Sequence, residues 1–478
     1  MFKSAQKRLV KALSLVVIAS TVLLPFSTVA YAQEVVLGEA TNFSDSQKTL
    51  LSAKPTVTQV TNIITGNVII QAVLASELGT PSLSGAVYPF EIGMGGSGFF
   101  VTDDGYLITN GHVANPDSDL IAYYAIGYTA EQIFKDAVGA LVESYYGYTA
   151  TGAELDAAYQ EQLNEAYNGD FWALVDDFYT GYKAGELEVD GVENNNFIQT
   201  GAVSGSETIV KDLGKPATLV DSPYDGKSNS SDLALLKVQG SNFMSIQLGS
   251  SENVEIGMEV YAIGYPAIVE EHTGVFTDVE SGLEPSITQG IISAKKTLVD
   301  GTEAFQTDAG ITHGNSGGPV LNSAGEVIGV ATWGFGDEPG GENFNFLISV
   351  EEVDKLLSQN NVEAAVSMTT EKWNTALDLY SDKCYTQAKE EFEEVRDLYP
   401  DNVDVDDFIS RCQTRIENGE DECLSVIESI SVTLLIGGSC VCVLGVIVFV
   451  VIIILVKRKK KAKLDPVKKP GVTEPAPK

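Results

Sequence analysis

Between residues 87 and 350 the chain is written in short β-type runs, each ended by glycine, asparagine or aspartate, and that alternation constrains the fold more than any other feature. Gly98-Phe99-Phe100-Val101, Tyr106-Leu107-Ile108-Thr109, Leu233-Ala234-Leu235-Leu236-Lys237-Val238, Met258-Glu259-Val260-Tyr261-Ala262-Ile263 and Val327-Ile328-Gly329-Val330-Ala331-Thr332 all have this form. Many short strands separated by turn residues predict an all-β barrel or sandwich. Upstream, Thr56-Val57-Thr58-Gln59-Val60 and Asn67-Val68-Ile69-Ile70 read as opening strands. Residues 33–383 contain no cysteine, so disulfides do not hold this region.

Two segments depart from the β pattern. From about 123 to 185 the sequence is rich in Ala, Tyr, Glu and Gln. There Ile133, Phe134, Ala137, Val138, Leu141, Val142 and Tyr145 fall at helical spacing, which predicts a helical insertion with its aromatics in its own core. The second departure begins near Val350, where Ser349 and Glu352 are spaced as a capping box for a helix over 350–359. Residues 373–400 then read as two amphipathic helices joined near Asp382. Ala376, Leu379, Tyr385, Ala388, Phe392 and Pro400 resemble the pattern of one tetratricopeptide-type repeat, with the first helix of another at 405–417. The region 366–425 reads equally as a helical hairpin acting as a stalk; the repeat reading would make it a docking place for a protein partner. The five cysteines all lie late, at 384, 412, 423, 440 and 442, and a Cys384–Cys412 bridge is one pairing they permit. No His/Cys spacing suits zinc, and neither a metal nor a cofactor is expected.

The ends of the chain set its compartment. Lys3, Lys7, Arg8 and Lys11 precede an apolar run and the stretch Ala30-Tyr31-Ala32, which predicts a cleaved secretory signal over 1–32. A second apolar run, 430–456, has no charged residue and is long enough for one bilayer crossing. Lys457-Arg458-Lys459-Lys460-Lys461 follows it, so the basic tail 457–478 is expected in the cytoplasm and the rest outside, on a bacterial cell membrane. The formal charge is -36; without the four positive charges of the signal and the net seven of the tail, about -47 remains on the exported part. Such a surface argues against nucleic acid or anionic lipid as a partner, and solubility alone explains it as well.

Acyl transfer by a serine needs a base, an acid to orient it, and donors for the oxyanion. There are three histidines, His112, His272 and His313, and His112 follows a predicted strand in Thr109-Asn110-Gly111-His112-Val113. Asp232 opens the apolar run Ser231-Asp232-Leu233-Ala234-Leu235-Leu236, where a carboxylate needs a partner such as an imidazole N–H. Ser316 lies in His313-Gly314-Asn315-Ser316-Gly317-Gly318-Pro319. Gly314 allows the backbone to aim its N–H and that of Ser316 at one point, as a tetrahedral oxyanion requires. Each feature alone also fits an ordinary turn, cap or structural histidine.

Taken in order, His112, Asp232 and Ser316 resemble the chymotrypsin-like peptidases, and the local wording resembles their HtrA/Deg branch. The resemblance runs from Gly96-Ser97-Gly98-Phe99-Phe100-Val101 through Asn110-Gly111-His112 and Ser231-Asp232-Leu233-Ala234. It continues in Thr288-Gln289-Gly290-Ile291-Ile292-Ser293-Ala294 and Gln306-Thr307-Asp308-Ala309. It implies two six-stranded β-barrels over 84–360, after an N-terminal segment 33–83 with the first strands, and a triad in the cleft between the barrels. It further implies an oxyanion hole from Gly314, Asn315 and Ser316, and a pocket of Gly310 and Ile311 walled by Thr332, Trp333 and Gly334. With no acid at Gly310, small or aliphatic side chains are expected in that pocket of a protein or peptide substrate. The chain departs from the branch in three ways: the distance from His112 to Asp232, His313 where proline is common, and helices in place of the usual PDZ domain. The competing expectations are a catalytically silent, protease-like binding module and a receptor that signals through its short tail.

Overall fold

The computed structural model describes residues 43–199, 214–226, 231–265, 285–312, 314–335 and 344–423. The expected signal, membrane span and basic tail lie outside these residues, as do His272 and His313. Among the described residues no helix is long and apolar enough to cross a membrane.

Twelve strands close into two antiparallel barrels. The first runs β1 (Val57–Ile70), β2 (Val87–Phe100), β3 (Tyr106–Thr109), β6 (Ala234–Val238), β5 (Lys215–Asp221) and β4 (Leu187–Gln199). The second runs β10 (Pro319–Leu321), β11 (Val327–Phe335), β12 (Phe344–Ser349), β9 (Glu303–Thr307), β8 (Ser286–Thr297) and β7 (Glu259–Gly264). The period-two alternation of a strand sorts neighbouring residues onto opposite faces. Phe99, Ile108 and Leu235 enter a cluster shared with Ile263, Leu321 and Val330 of the second barrel. Their neighbours Phe100, Leu107 and Leu236 enter another cluster, shared with the C-terminal helices. The two opening runs form one continuous strand, β1, which pairs with both β2 and β4, so the first barrel starts at Val57 and not at 84. Helix α1 (Asp45–Ala53), capped by a Ser44–Gln47 box, precedes it.

Strands β1, β2 and β4 are 13 or 14 residues long and overrun the barrel. Beyond it they are flanked by the short α2 (Ala72–Glu77). One turn of helix, α3 (Gly111–Ala114), leads into the insertion. This comprises α4 (Ser118–Tyr146), α5 (Ala153–Tyr167) and α6 (Phe171–Lys183), so its helices start earlier than the composition suggests, at the Asp117 cap. Ile126, Ile133, Phe134, Leu174 and Phe178 pack onto Ile64, Val68, Tyr88 and Phe90 of the overrunning strands. Tyr145, at the end of the predicted apolar face, is 59% exposed.

After the second barrel come α7 (Val350–Gln359), α8 (Met368–Ser381), α9 (Tyr385–Leu398) and α10 (Val405–Glu417). Ser349 is the N-cap, as predicted, but the reciprocal bond from Glu352 that would complete a capping box does not form. Ser349 accepts from the Glu351 N–H and donates to its carboxylate, while Glu352 pairs with Lys355. Nor do the last three helices stand free as a stalk. Trp373, Tyr380, Tyr385 and Phe392 share one cluster with Val60, Phe100 and Leu236, and the Trp373 indole N–H donates to Leu51 O at 2.9 Å. The Cys384–Cys412 pairing does not form. Cys384 is bridged to Cys423, whose Cα lies 4.9 Å away, because the turn after α10 returns along Lys383, where Glu422 N donates to Lys383 O. Cys412 faces the apolar cluster and is fully buried as a free thiol, its pKa pushed up to about 12 by burial.

Because barrel and helices share this cluster, Trp373→Ala is expected to cost about 3–5 kcal/mol. In urea unfolding followed by circular dichroism, helical and β signals should shift together; a separate early helical transition would contradict the shared core.

Candidate active site

His112 is placed by the single turn α3. Asn62 and Asn196 both donate to Ala114 O, at 3.3 and 2.9 Å, and pin the end of that turn. Gly111 is required at its start, since a Cβ there would stand 2.2 Å from Tyr224 Cβ. Tyr224 in turn meets the His112 ring edge-on at 6.5 Å. Burial, then Asp232, Asp117 and Asp225, push its phenol up to about 12.

Asp232 precedes β6 with 3% of its surface exposed. Its Oδ2 lies 2.7 Å from His112 Nδ1 and also accepts the Thr332 hydroxyl at 2.6 Å, while its Oδ1 accepts the His112 backbone N–H at 2.9 Å. Asn110 donates to the Asp232 carbonyl at 2.6 Å. Burial alone would raise the Asp232 pKa, but attraction to His112 and the hydrogen bonds from His112 and Thr332 hold it below the usual carboxylate value. With Nδ1 engaged, Nε2 of His112 is the ring nitrogen left to accept a proton.

Ser316 comes from the loop before β10. Gly317 has φ 88°, and a Cβ there would lie 2.2 Å from Ser97 O; one on Gly318 would lie 2.2 Å from Ile263 O. These contacts are the physical reason for the paired glycines. Among the described residues the N–H groups of Gly314 and Ser316 donate to no acceptor, as an oxyanion hole requires. The Asn315 carboxamide is buried with its Oδ1 unpartnered and faces Gly264. The Ser316 hydroxyl donates to Thr332 O at 3.0 Å, and not to His112.

Sequence reasoning singled out Thr332 as a pocket wall and overlooked Ser97. Thr332 also joins the barrels through Asp232. β11 carries one extra residue relative to β12 between Ala331 and Gly334, and such a bulge re-aims the side chains beside it. Ser97 has no exposed surface. Its hydroxyl donates to Gly314 O at 2.7 Å and accepts from Tyr265 N at 2.9 Å, and its own N–H donates to Ser316 O at 2.7 Å. Its signal in the sequence was a serine between two glycines. Gly310 is held by the Thr288 hydroxyl, which donates to its carbonyl at 2.7 Å, and Ile311 packs at the edge of the second barrel's core. Trp333 and Gly334 continue β11.

At the junction of the two six-stranded barrels Asp232 engages both His112 and Thr332, and the Ser316 hydroxyl rests on Thr332, an arrangement expected of the trypsin-like class. Residues 190–330 match the model of the trypsin-like peptidase domain. That stretch begins just after the insertion, so it holds Asp232 and Ser316 but not His112. The chain is 36% identical over 145 residues to a probable periplasmic serine endoprotease DegP-like protein of Pseudomonas putida, covering 30% of this chain and 28% of the relative. A relative of the same description in Chlamydia muridarum is 34% identical over 189 residues, covering 36% and 35%. The solved structure of the HtrA-type protease AlgW with decapeptide overlaps at TM-score 0.35 and 18% identity, over 66% of this chain and 67% of that one. Over part of its length the chain is therefore similar to trypsin-like serine peptidases of the HtrA/Deg type, and its match spans about a third of the length of the curated relatives.

Since the native Asp232 pKa is lowered, its ionisation adds stability above the unfolded value of about 3.9. That stability is lost as pH falls through the native value. Asp232→Asn should therefore flatten the acid limb of stability below about pH 4. Urea midpoints measured on both proteins across that range check this, and parallel acid limbs would count against it.

Proposed function

We propose that the chain is an exported, membrane-tethered serine endopeptidase that cleaves proteins through an acyl-enzyme. The observation that carries this reading is the double engagement of Asp232, which holds His112 from one barrel and Thr332 of the other beside Ser316. Rotation of Ser316 about χ1 turns its hydroxyl from Thr332 O toward His112 Nε2. Ser316 then attacks the peptide carbonyl while His112 takes the hydroxyl proton, and later gives it to the leaving amine. Asp232 stabilises the imidazolium. The N–H groups of Gly314 and Ser316 receive the oxyanion, with Asn315 lining the same turn. Gly310 and Ile311 form the pocket for the residue before the scissile bond, and Thr332, Trp333 and Gly334 its wall. The anchor is the C-terminal span, with the tail inside and the barrels outside, consistent with the periplasmic description of the matched relatives.

A catalytically silent module has one observation in its favour, the Ser316 hydroxyl turned onto Thr332 O. A fluorophosphonate probe separates the two readings. Wild-type protein should be labelled, and Ser316→Ala and His112→Ala should each abolish both labelling and casein cleavage while the fold is kept. Undiminished cleavage by Ser316→Ala would sink the assignment.

Ser97→Ala is expected to lower kcat by roughly one to two orders of magnitude, because Gly314 loses its tether. KM should stay within about twofold, and the pH profile should not move, since His112 and Asp232 are untouched. An unchanged kcat would remove Ser97 from the machinery.

A further inference from the structure

The insertion carries an aromatic row whose inner rings, Tyr123, Tyr179 and Tyr182, pack against its core, and whose outer rings, Trp172, Tyr124 and Tyr128, are exposed. Trp172, at the start of α6, is 57% exposed. Its indole lies flat against Tyr123 of α4, with centroids 6.5 Å apart and 9° between planes, over Gly127. Tyr123 meets Tyr179 edge-on at 5.3 Å, and Tyr179 stacks on Tyr182. On the adjacent face Tyr124 and Tyr128, one helical turn apart, are 47% and 60% exposed. The fully enclosed rings of the insertion's core are others, Phe134, Tyr159 and Phe178.

Carboxylates border this row. Asp176 accepts the Tyr123 hydroxyl at 3.2 Å, and Asp119 pairs with Lys183 at 2.6 Å. The Lys183 ammonium stands 5.9 Å from the centre of the Tyr179 ring, so the surface already seats one cation between a ring and a carboxylate. Burial first, then Asp119, raise the Tyr179 pKa, as an acidic neighbourhood must. The row also leads back to the cleft. Asp117, which caps α4, lies five residues after His112 in the chain, and Tyr224 spans the gap to the His112 ring. From Asp117 to Tyr128 the helix rises about 16 Å, the reach of about five extended residues.

We propose that this row docks a Lys- or Arg-bearing segment of an unfolded protein substrate, which leaves the cleft over Tyr224 and crosses the exposed face of α4 and α6. Cationic side chains are attracted to aromatic faces, and neighbouring carboxylates add to that attraction. The charge of about -47 on the exported part selects for a cationic occupant and against anionic lipid headgroups. The course of the segment rests on the peptidase reading; its binding does not.

The test is therefore binding to the full chain carrying Ser316→Ala. A fluorescent, lysine-rich unstructured peptide is titrated at low salt, and the same peptide with acetylated lysines serves as control. Trp172→Ala combined with Tyr128→Ser should weaken the lysine peptide roughly tenfold, and acetylation should do the same to the unsubstituted surface. Tyr124→Ser with Tyr128→Ser, which removes only exposed rings, should weaken it in the same direction. Equal affinities across these variants, or for both peptides, would overturn the proposal. So would vesicles of anionic lipid binding in place of the peptide and losing that binding in the same variants. Fluorophosphonate labelling of chains with Ser316 intact, expected unchanged by Trp172→Ala, reports on the peptidase reading by itself.

Discussion

A carboxylate withdrawn from water is tolerated only when its lone pairs are used. Asp232 uses them on groups from both barrels: the ring and backbone of His112 on one side and the Thr332 hydroxyl on the other. The junction is thus cross-linked at the point where the chemistry is proposed to occur. The second link, from Ser97 to Gly314, lies beside it and ties β2 of the first barrel to the loop of the second. Moving either barrel against the other strands buried polar groups, so catalytic geometry and barrel packing are the same set of contacts.

The residues proposed as the triad could be singled out because that chemistry demands particular residue types in a particular order, and because strand and turn signals lie close to each of them; the His112–Asp232 contact is the part the structure displays. The short runs made an all-β barrel or sandwich legible, and the resemblance they carry narrowed it to two six-stranded barrels. What was not legible depends on contacts across great sequence distance. Ser97 acts on a residue 217 positions away, and nothing near it in the chain announces that. Cys412 and Cys423 were indistinguishable by count as partners for Cys384; the choice falls out only once α10 turns Cys412 into the cluster around Phe408. That Ser349 caps its helix without the predicted reciprocal bond likewise turns on tertiary detail: Glu352 is taken by Lys355, and Glu351 is the carboxylate within reach of the Ser349 hydroxyl.

The C-terminal helices show the same limit from the other side. A single repeat cannot bury its faces, and the sequence left a stalk equally open. Helix α1 and the barrel supply the missing surface, with Trp373 set against Leu51 of α1 and the hairpin's apolar face joined to Val60, Phe100 and Leu236. Lys54–Asp404 and the contact of Lys215 with Asp401 stitch the same seam from its polar edge.

Strand β2 has a mechanical consequence. Its beginning is clamped into the insertion, where the Tyr88 hydroxyl donates to Asp136 of α4 at 3.0 Å and Phe90 joins the helical core. Its other end carries Ser97 and the hydrogen bond to Gly314. One uninterrupted strand of 14 residues, paired along its length with β1, thus behaves as a strut between the outer helices and the loop of Gly314. Because such a strand is stiff along its axis, a load applied to the insertion has its far bearing on Gly314. The decoration and the proposed active site are in this sense opposite ends of one beam.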